Sequence, residues 1–336
     1  MASTKKSRTK GFPLEKDDLL DMYRQMCLIR EFEEACAQQY SMGKIAGFLH
    51  LYIGEEAIAV GSIKAMEERD HVLTHYRDHG YALALGLDTG EVMAELFGKE
   101  TGVTGGRGGS MHLADASKNF WGGYAIVSGH LLLTVGLAYA SKYLDEDRVA
   151  VCYFGDGATN AGAFHEAMNM AAVWNLPVIF MCENNLYGMG TAVEHVSAVQ
   201  EMAKKALAYD MPAMQVDGQN VTEMYEKTKE ALDHCRSGKG PYFIEALTYR
   251  FRGHSMADPE QYREREEIDQ YRAYDPIPLF RDRLIEEKVA KEDELEKIQK
   301  AAREEVEAAV KFADESKDPD LDTLGDFVYA DPITIK

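Results

Sequence analysis

Two short polar segments, GDGATN at residues 155–160 and ENN at 183–185, each close an apolar run. The runs, VAVCYF (149–154) and PVIFMC (177–182), are β-prone and scarcely alternate, and AFHEAMNMAAVW between them has apolar residues at helical spacing. A strand, a helix and a second strand in that order form a right-handed crossover, which makes the strands parallel and opens both carboxyl ends on one edge of the sheet. Asp156 and Asn185 are therefore predicted to face a single site.

The same alternation extends in both directions. HVLT (71–74) and YAIV (124–127) read as strands and LLLTVGLAYASKYL (131–144) as a helix; AMQVDG, TEMYEKTKEALDHC and YFIEALTY continue the pattern. Apolar strands alternating with helices predict an α/β fold, a mainly parallel, doubly wound sheet with helices on both faces. Leu19, Met22, Met26 and Ile29 recur at helical spacing and predict an N-terminal helix ending near SMGK. The chain divides accordingly into a flexible basic arm (1–14), an N-terminal helical region (15–69), the α/β domain (70–255), a polar and mobile loop (250–266), and C-terminal helices with a tail (267–336). The late helices are expected to form a satellite layer with solvated charged faces.

The 37 basic and 57 acidic residues leave a formal charge of −20, a field that repels nucleic acid and anionic membranes. No window reaches the roughly 18 uninterrupted apolar residues of a membrane span. Five cysteines, odd in number and without a CxxC pair, fit reduced buried thiols. MASTKKSRTK is basic, but no apolar or amphipathic segment follows it. Together these point to a cytoplasmic chain.

The turn after the first strand presents free N–H groups at a helix start, which suits a phosphate or diphosphate. Asp156 opposes that anion: two unit charges about 4 Å apart near a surface repel by roughly 4 kcal/mol, so a cation must stand between them. Mg²⁺ meets the need, because it takes hard oxygens from one or two protein groups and from substrate phosphates. Asp156 and the Asn185 amide oxygen are the side-chain ligands this chemistry selects.

GDGATN followed 26 residues after Gly157 by NN resembles the thiamine diphosphate and Mg²⁺ motif. FLHLYIGEEA, THYRDHG, GGRGGSMH, ENNLYGMGT and TYRFRGHSMADP further resemble the α subunits of the thiamine diphosphate-dependent 2-oxo acid dehydrogenases, those acting on pyruvate in particular. The likeness runs from about residue 15 to the C-terminus. It implies that Asp156, Asn185 and the Tyr187 carbonyl hold Mg²⁺, and that Gly157 and Ala158 approach the diphosphate through their amides. Tyr76 and Arg77 would bind diphosphate oxygens, and Phe48, His50, Ala125 and Val127 would line the cofactor channel. His254, with His50, would be the catalytic histidine, holding the cofactor and serving acyl transfer. The implied activity is oxidative decarboxylation of pyruvate with acetyl transfer to the lipoyl group of dihydrolipoyl acetyltransferase. A β subunit would supply the missing second α/β domain in an α₂β₂ heterotetramer.

Other readings compete. Acetoin dehydrogenase and branched-chain 2-oxo acid dehydrogenase α subunits share the motif, although the latter tend to carry glutamate where this chain has Asp156. A transketolase-like transferase would need a pyrimidine domain in the same chain, and a noncatalytic scaffold would bind no cofactor. His71, His75 and His79, four apart, invite a zinc reading, but four residues along a strand span about 13 Å, too far for shared coordination. Gly105, Gly106, Gly108 and Gly109 around Arg107 lack a P-loop ending and receive no role. Among the regulatory serine positions of eukaryotic relatives only Ser255 matches. His130 is unusual for the family and has no sequence-level account.

Overall fold

The computed structural model describes residues 11–328. In chain order the elements are α1 (Lys16–Ser41), α2 (Glu56–Ala65), β1 (His71–His75), α3 (His79–Ala84), α4 (Thr89–Leu96), β2 (Phe120–Tyr124), α5 (Leu131–Tyr143), β3 (Ala150–Gly155), α6 (Gly162–Val173) and β4 (Val178–Asn184). There follow β5 (Tyr187–Gly188), β6 (Thr191–Ala192), α7 (Val193–Val196), β7 (Ala213–Asp217), α8 (Val221–Arg236), β8 (Tyr242–Leu247), α9 (Arg265–Arg272), α10 (Pro276–Glu286) and α11 (Glu292–Glu315).

Six strands form one parallel sheet in the order β2-β1-β3-β4-β8-β7, and β5 and β6 make a small hairpin. Alternate residues of the strands enter two separate cores: Val151, Tyr153, Ile179, Met181 and Ile244 on one face, Cys152, Phe154, Phe180, Cys182 and Phe243 on the other. Both faces being apolar explains why the strand sequences do not alternate. Helices α1, α2, α3, α4, α8, α10 and α11 cover the first face and α5 and α6 the second. The order reverses between β1 and β3, because the chain leaves β1 for β2 on one side and returns to pair β3 on the other; a crevice opens at such a point.

Leu19, Met22, Met26 and Ile29 of α1 are all wholly buried, each worth roughly 1.5–3 kcal/mol. Arg30 of the same helix bonds Glu56 and forms a paired contact with Asp275, which also caps α10 at Ile277. The C-terminal helices are more than a satellite layer: Leu295, Ala302, Val306, Ala309 and Ala313 of α11 are buried in the same core as α1.

Three expectations need correction. The strand assigned to YAIV begins four residues earlier, at Phe120–Tyr124, and Ala125 and Val127 follow it into the wall of the crevice. The sheet selects the glycines there, since a Cβ on Gly123 would fall 2.0 Å from the Asp78 carboxylate. Of the arm assigned to 1–14, residues 1–10 lie outside the described residues, and Phe12 is buried, edge-on to Phe280 with the Arg283 guanidinium 4.3 Å from its ring centroid. The loop at 250–266, read as mobile, is closely bonded. Arg263 donates to the carbonyls of Arg250 and Arg252, and Asp258 accepts from the His254 amide and the Tyr262 hydroxyl.

Candidate active site

The crevice at the carboxyl ends of β1, β3 and β4 holds a cavity of about 550 Å³. Its wall includes Phe48, His50, Tyr76, Arg77, Ala125, Val127, Asp156, Gly157, Ala158, Asn185, Tyr187 and His254, so every residue that the resemblance assigns to cofactor or metal reaches one space. They arrive from separate elements: Tyr76 and Arg77 follow β1, Ala125 and Val127 follow β2, the GDG turn follows β3, Asn185 and Tyr187 follow β4, and His254 lies beyond β8.

Gly155 of β3 is the register partner of Glu183 of β4, which brings the Asp156 and Asn185 backbones side by side. A 3-10 turn, Asp156–Asn160, intervenes before α6, so the free N–H groups belong to that turn rather than to the helix itself. Asp156 is 4% exposed. Burial pushes its carboxyl up to about 6, offset only in part by its own backbone amide and the charge of Arg250. No lysine or arginine nitrogen among the described residues comes within 4.0 Å of it. A buried carboxylate without a paired cation, beside an amide oxygen, is a hard-oxygen donor set that fits Mg²⁺. A Cβ on Gly155 would meet nothing within 4 Å and one on Gly157 only the Gly188 Cα at 3.7 Å, so the turn leaves a cradle of open space.

The opposite wall is cationic. Arg77 is buried; it donates to the carbonyls of Leu51 (2.6 Å) and His254 (3.1 Å) and faces Glu55 at 3.5 Å, which leaves further guanidinium N–H groups uncommitted. Arg250, which sequence reasoning missed, also lines the cavity; it bonds the Tyr262 hydroxyl and the Arg252 carbonyl and has no carboxylate partner within 4.0 Å among the described residues. Burial and the neighbouring Arg77 lower its pKa. Two buried guanidiniums side by side call for an anion. Its signal was available: Arg250 opens the RFRGHS segment that was quoted for its histidine.

His50, Tyr76 and His254 cluster with ring centroids 4.5–5.6 Å apart. Burial and the charge of Arg77 lower His50 to about 2 and His254 to about 4, so both imidazoles are neutral near pH 7. Each has an Nδ1 without a hydrogen-bond partner. Phe48 stands 63% exposed at the cavity mouth.

Beneath the cavity, Glu183 binds His75 and the hydroxyls of Tyr52 and Tyr81. Burial alone would raise this carboxyl, but its charge interaction and hydrogen bond with His75, with the two hydroxyls, hold it below its ordinary range. His130, 1% exposed, also touches the cavity and donates Nε2–H to the Tyr153 carbonyl at 2.8 Å. The three spaced histidines diverge: His71 accepts from Trp121, His75 meets Glu183, and His79 bonds Glu33 and Ser110. Glu33, Cys36 and His79 do converge, but Glu33 and His79 are already committed, to the Tyr52 amide, to each other and to Ser110.

Fold and site together define an α/β chain whose pocket, at the carboxyl edge of a parallel sheet, joins an unpaired buried carboxylate to two buried guanidiniums. A sequence profile of the family "Dehydrogenase E1 component" matches residues 24–322. Among curated proteins, a Rhizobium meliloti (strain 1021) protein named pyruvate dehydrogenase E1 component subunit alpha is 47% identical over 92% of this chain and 89% of its own. Its namesake from Porphyra purpurea is 44% identical over 95% and 94% of the two chains. The Arabidopsis thaliana pyruvate dehydrogenase E1 component subunit alpha-3, chloroplastic, is 45% identical over 95% of this chain and 76% of its own. The chain belongs to the dehydrogenase E1 component family.

Proposed function

We propose that this chain acts as the α subunit of the decarboxylating component of a pyruvate dehydrogenase complex, converting pyruvate to carbon dioxide and passing the acetyl group to a lipoyl-bearing acetyltransferase. The observation that carries this reading is the meeting, in one cavity, of the uncompensated Asp156 carboxylate, the Asn185 amide, the Arg77 and Arg250 guanidiniums and two neutral histidines. When bound, thiamine diphosphate supplies the nucleophilic thiazolium carbon and the electron sink that 2-oxo acid decarboxylation requires. The residues' part is to hold and orient it. Asp156, Asn185 and the Tyr187 carbonyl would ligate Mg²⁺; Gly157 and Ala158 amides with Tyr76, Arg77 and Arg250 would bind the diphosphate; Phe48, Ala125 and Val127 would line the channel. His50 and His254, neutral and partly unpartnered, are able to accept or donate a proton as the acetyl group leaves.

A partner is needed to complete the site. Ile126, Leu133, Tyr139, Tyr143, Val173 and Trp174 are large apolar side chains left exposed beside the cavity and along α5 and α6, a surface a β subunit in an α₂β₂ assembly would cover. The five cysteines are free and buried, which supports a reducing, cytoplasmic setting. No helix among the described residues is long and apolar enough to cross a membrane.

The test is substrate preference. Coexpressed with its β partner, the chain is expected to decarboxylate pyruvate much faster than 3-methyl-2-oxobutanoate and to leave acetoin unused. Preferential turnover of either competitor would replace the assignment with the branched-chain or acetoin reading.

A further inference from the structure

Glu55, the residue before α2, has no exposed surface. Its Oε1 accepts a hydrogen bond from Asn185 Nδ2 at 3.0 Å, and its Oε2 lies 3.5 Å from Arg77 Nε and has no hydrogen-bond partner. A buried carboxylate with one oxygen unbonded is costly to keep. The placement of the other oxygen gives it a use.

A side-chain amide can rotate to present either its oxygen or its NH₂ at the same point in space. A hard divalent cation accepts only the oxygen. Within the fold, the Asn185 oxygen receives one long bond, from the Tyr187 amide at 3.3 Å, which by itself holds the group weakly. The nitrogen side is fixed more firmly, because a carboxylate at hydrogen-bond distance selects the NH₂ and turns the oxygen away from itself. Asn185 lines the cavity together with Asp156.

We propose that Glu55 is a positioning residue that locks the Asn185 amide with its oxygen toward the metal position. The proposal rests on the reading of Asp156 and Asn185 as metal ligands. Glu55 never touches the metal; it acts through Asn185. Its second oxygen, facing Arg77, connects the same strut to the anion-binding wall.

The test is Mn²⁺ affinity of the assembled enzyme with thiamine diphosphate in fixed excess and no pyruvate, read from the electron paramagnetic resonance of free Mn²⁺. E55A is expected to weaken Mn²⁺ by about 10–100-fold, the usual effect of removing a group that orients a ligand. E55M, which fills the same volume without an acceptor, should do the same and replaces E55A if that variant fails to assemble. E55Q retains an acceptor oxygen and should stay within about threefold of the parent. In an N185A background, E55A should add nothing. Wild-type affinity in E55A or E55M, an E55Q loss as large as theirs, or an additive loss in E55A/N185A overturns the proposal. D156A reports separately on the underlying reading: if it binds Mn²⁺ as the parent does, the metal site is misassigned whatever Glu55 does.

Discussion

The imidazole of His254 meets that of His50 edge-on, with ring centroids 5.0 Å apart, although the two residues lie 204 positions apart in the chain. Three bonds hold the loop histidine there: its amide donates to Asp258, its carbonyl accepts from Arg77, and Asp258 is itself held by the Tyr262 hydroxyl. The Arg77 bond ties the loop to the end of β1, so the cationic wall and the loop histidine share one support.

Replacing His254 by alanine removes the ring and keeps that backbone support. H254A is therefore expected to bind thiamine diphosphate within severalfold of the parent, while acetylation of a lipoyl domain falls by about 10²–10⁴-fold, the usual range for loss of a proton-transfer group. Stopped-flow measurement of lipoyl acetylation beside calorimetric cofactor binding checks this. Equal losses in both would make His254 a cofactor-binding residue only.

Asp156→Asn separates stability from ligand binding. The Asp156 carboxyl is raised from 3.8 to about 6 in the folded chain, so the folded state holds this proton more tightly than the unfolded state. Without metal, its contribution is most favourable below about pH 3.8 and is lost as pH rises through about 6, at a cost of about 3 kcal/mol. D156N removes that cost. In metal-free buffer at pH 7.5 its Tm should exceed that of the parent, and the rise in Tm on adding Mg²⁺ and thiamine diphosphate should vanish. Thermal scans with and without both ligands decide it; a lower ligand-free Tm would show that the carboxylate is compensated within the fold.

What sequence revealed depended on the range of the interactions. The βαβ crossover at 149–184 is local, so sequence alone places Asp156 and Asn185 on one edge. His71, His75 and His79 could be separated by strand rise alone. By contrast, the role of Glu183 follows from bonds to partners far away in the chain, such as Tyr52, and that of Arg250 from its meeting Arg77 in the cavity, and no spacing rule reaches that far. The misplaced strand at YAIV has a similar cause: β2 contains Gly122 and Gly123, residues of weak strand propensity, and the close approach of Asp78 requires the glycine at 123.

Glu95 was hidden at shorter range, inside a loop. The glycine run that sequence left without a role is wrapped around its buried carboxylate, which accepts backbone N–H bonds from Thr104, Gly106, Gly108 and Gly109 at 2.8–3.0 Å. Gly102 and Gly106 admit no Cβ, with the nearest atoms at 2.3 and 2.6 Å. The loop then delivers Met111 to the cavity wall and Ser110 to His79. E95A leaves four donors without an acceptor, and is expected to destabilise the chain by about 3 kcal/mol or more. Denaturant unfolding measures the loss, and limited proteolysis should show new cleavage between Thr101 and Met111. Unchanged protection there would mean that the glycines hold their shape unaided.

His130 yields a prediction about acid stability. Its Nε2 donates to the Tyr153 carbonyl, so Nδ1 is the unprotonated nitrogen, and that atom is buried without a partner. Burial, with a smaller effect from His75, lowers the imidazole from 6.5 to about 4. The folded chain thus refuses a proton that the unfolded chain accepts. The contribution is intact above about pH 6.5 and is lost progressively as pH falls toward about 4. Between pH 6.5 and pH 5 the loss amounts to about 2 kcal/mol. H130Q has no titrating group, so whatever it costs at pH 7, its stability should fall less steeply from pH 7 to pH 5 than the parent's. Denaturant unfolding of both proteins at the two pH values supplies the comparison, and parallel declines would mean that His130 takes up its proton without unfolding the chain.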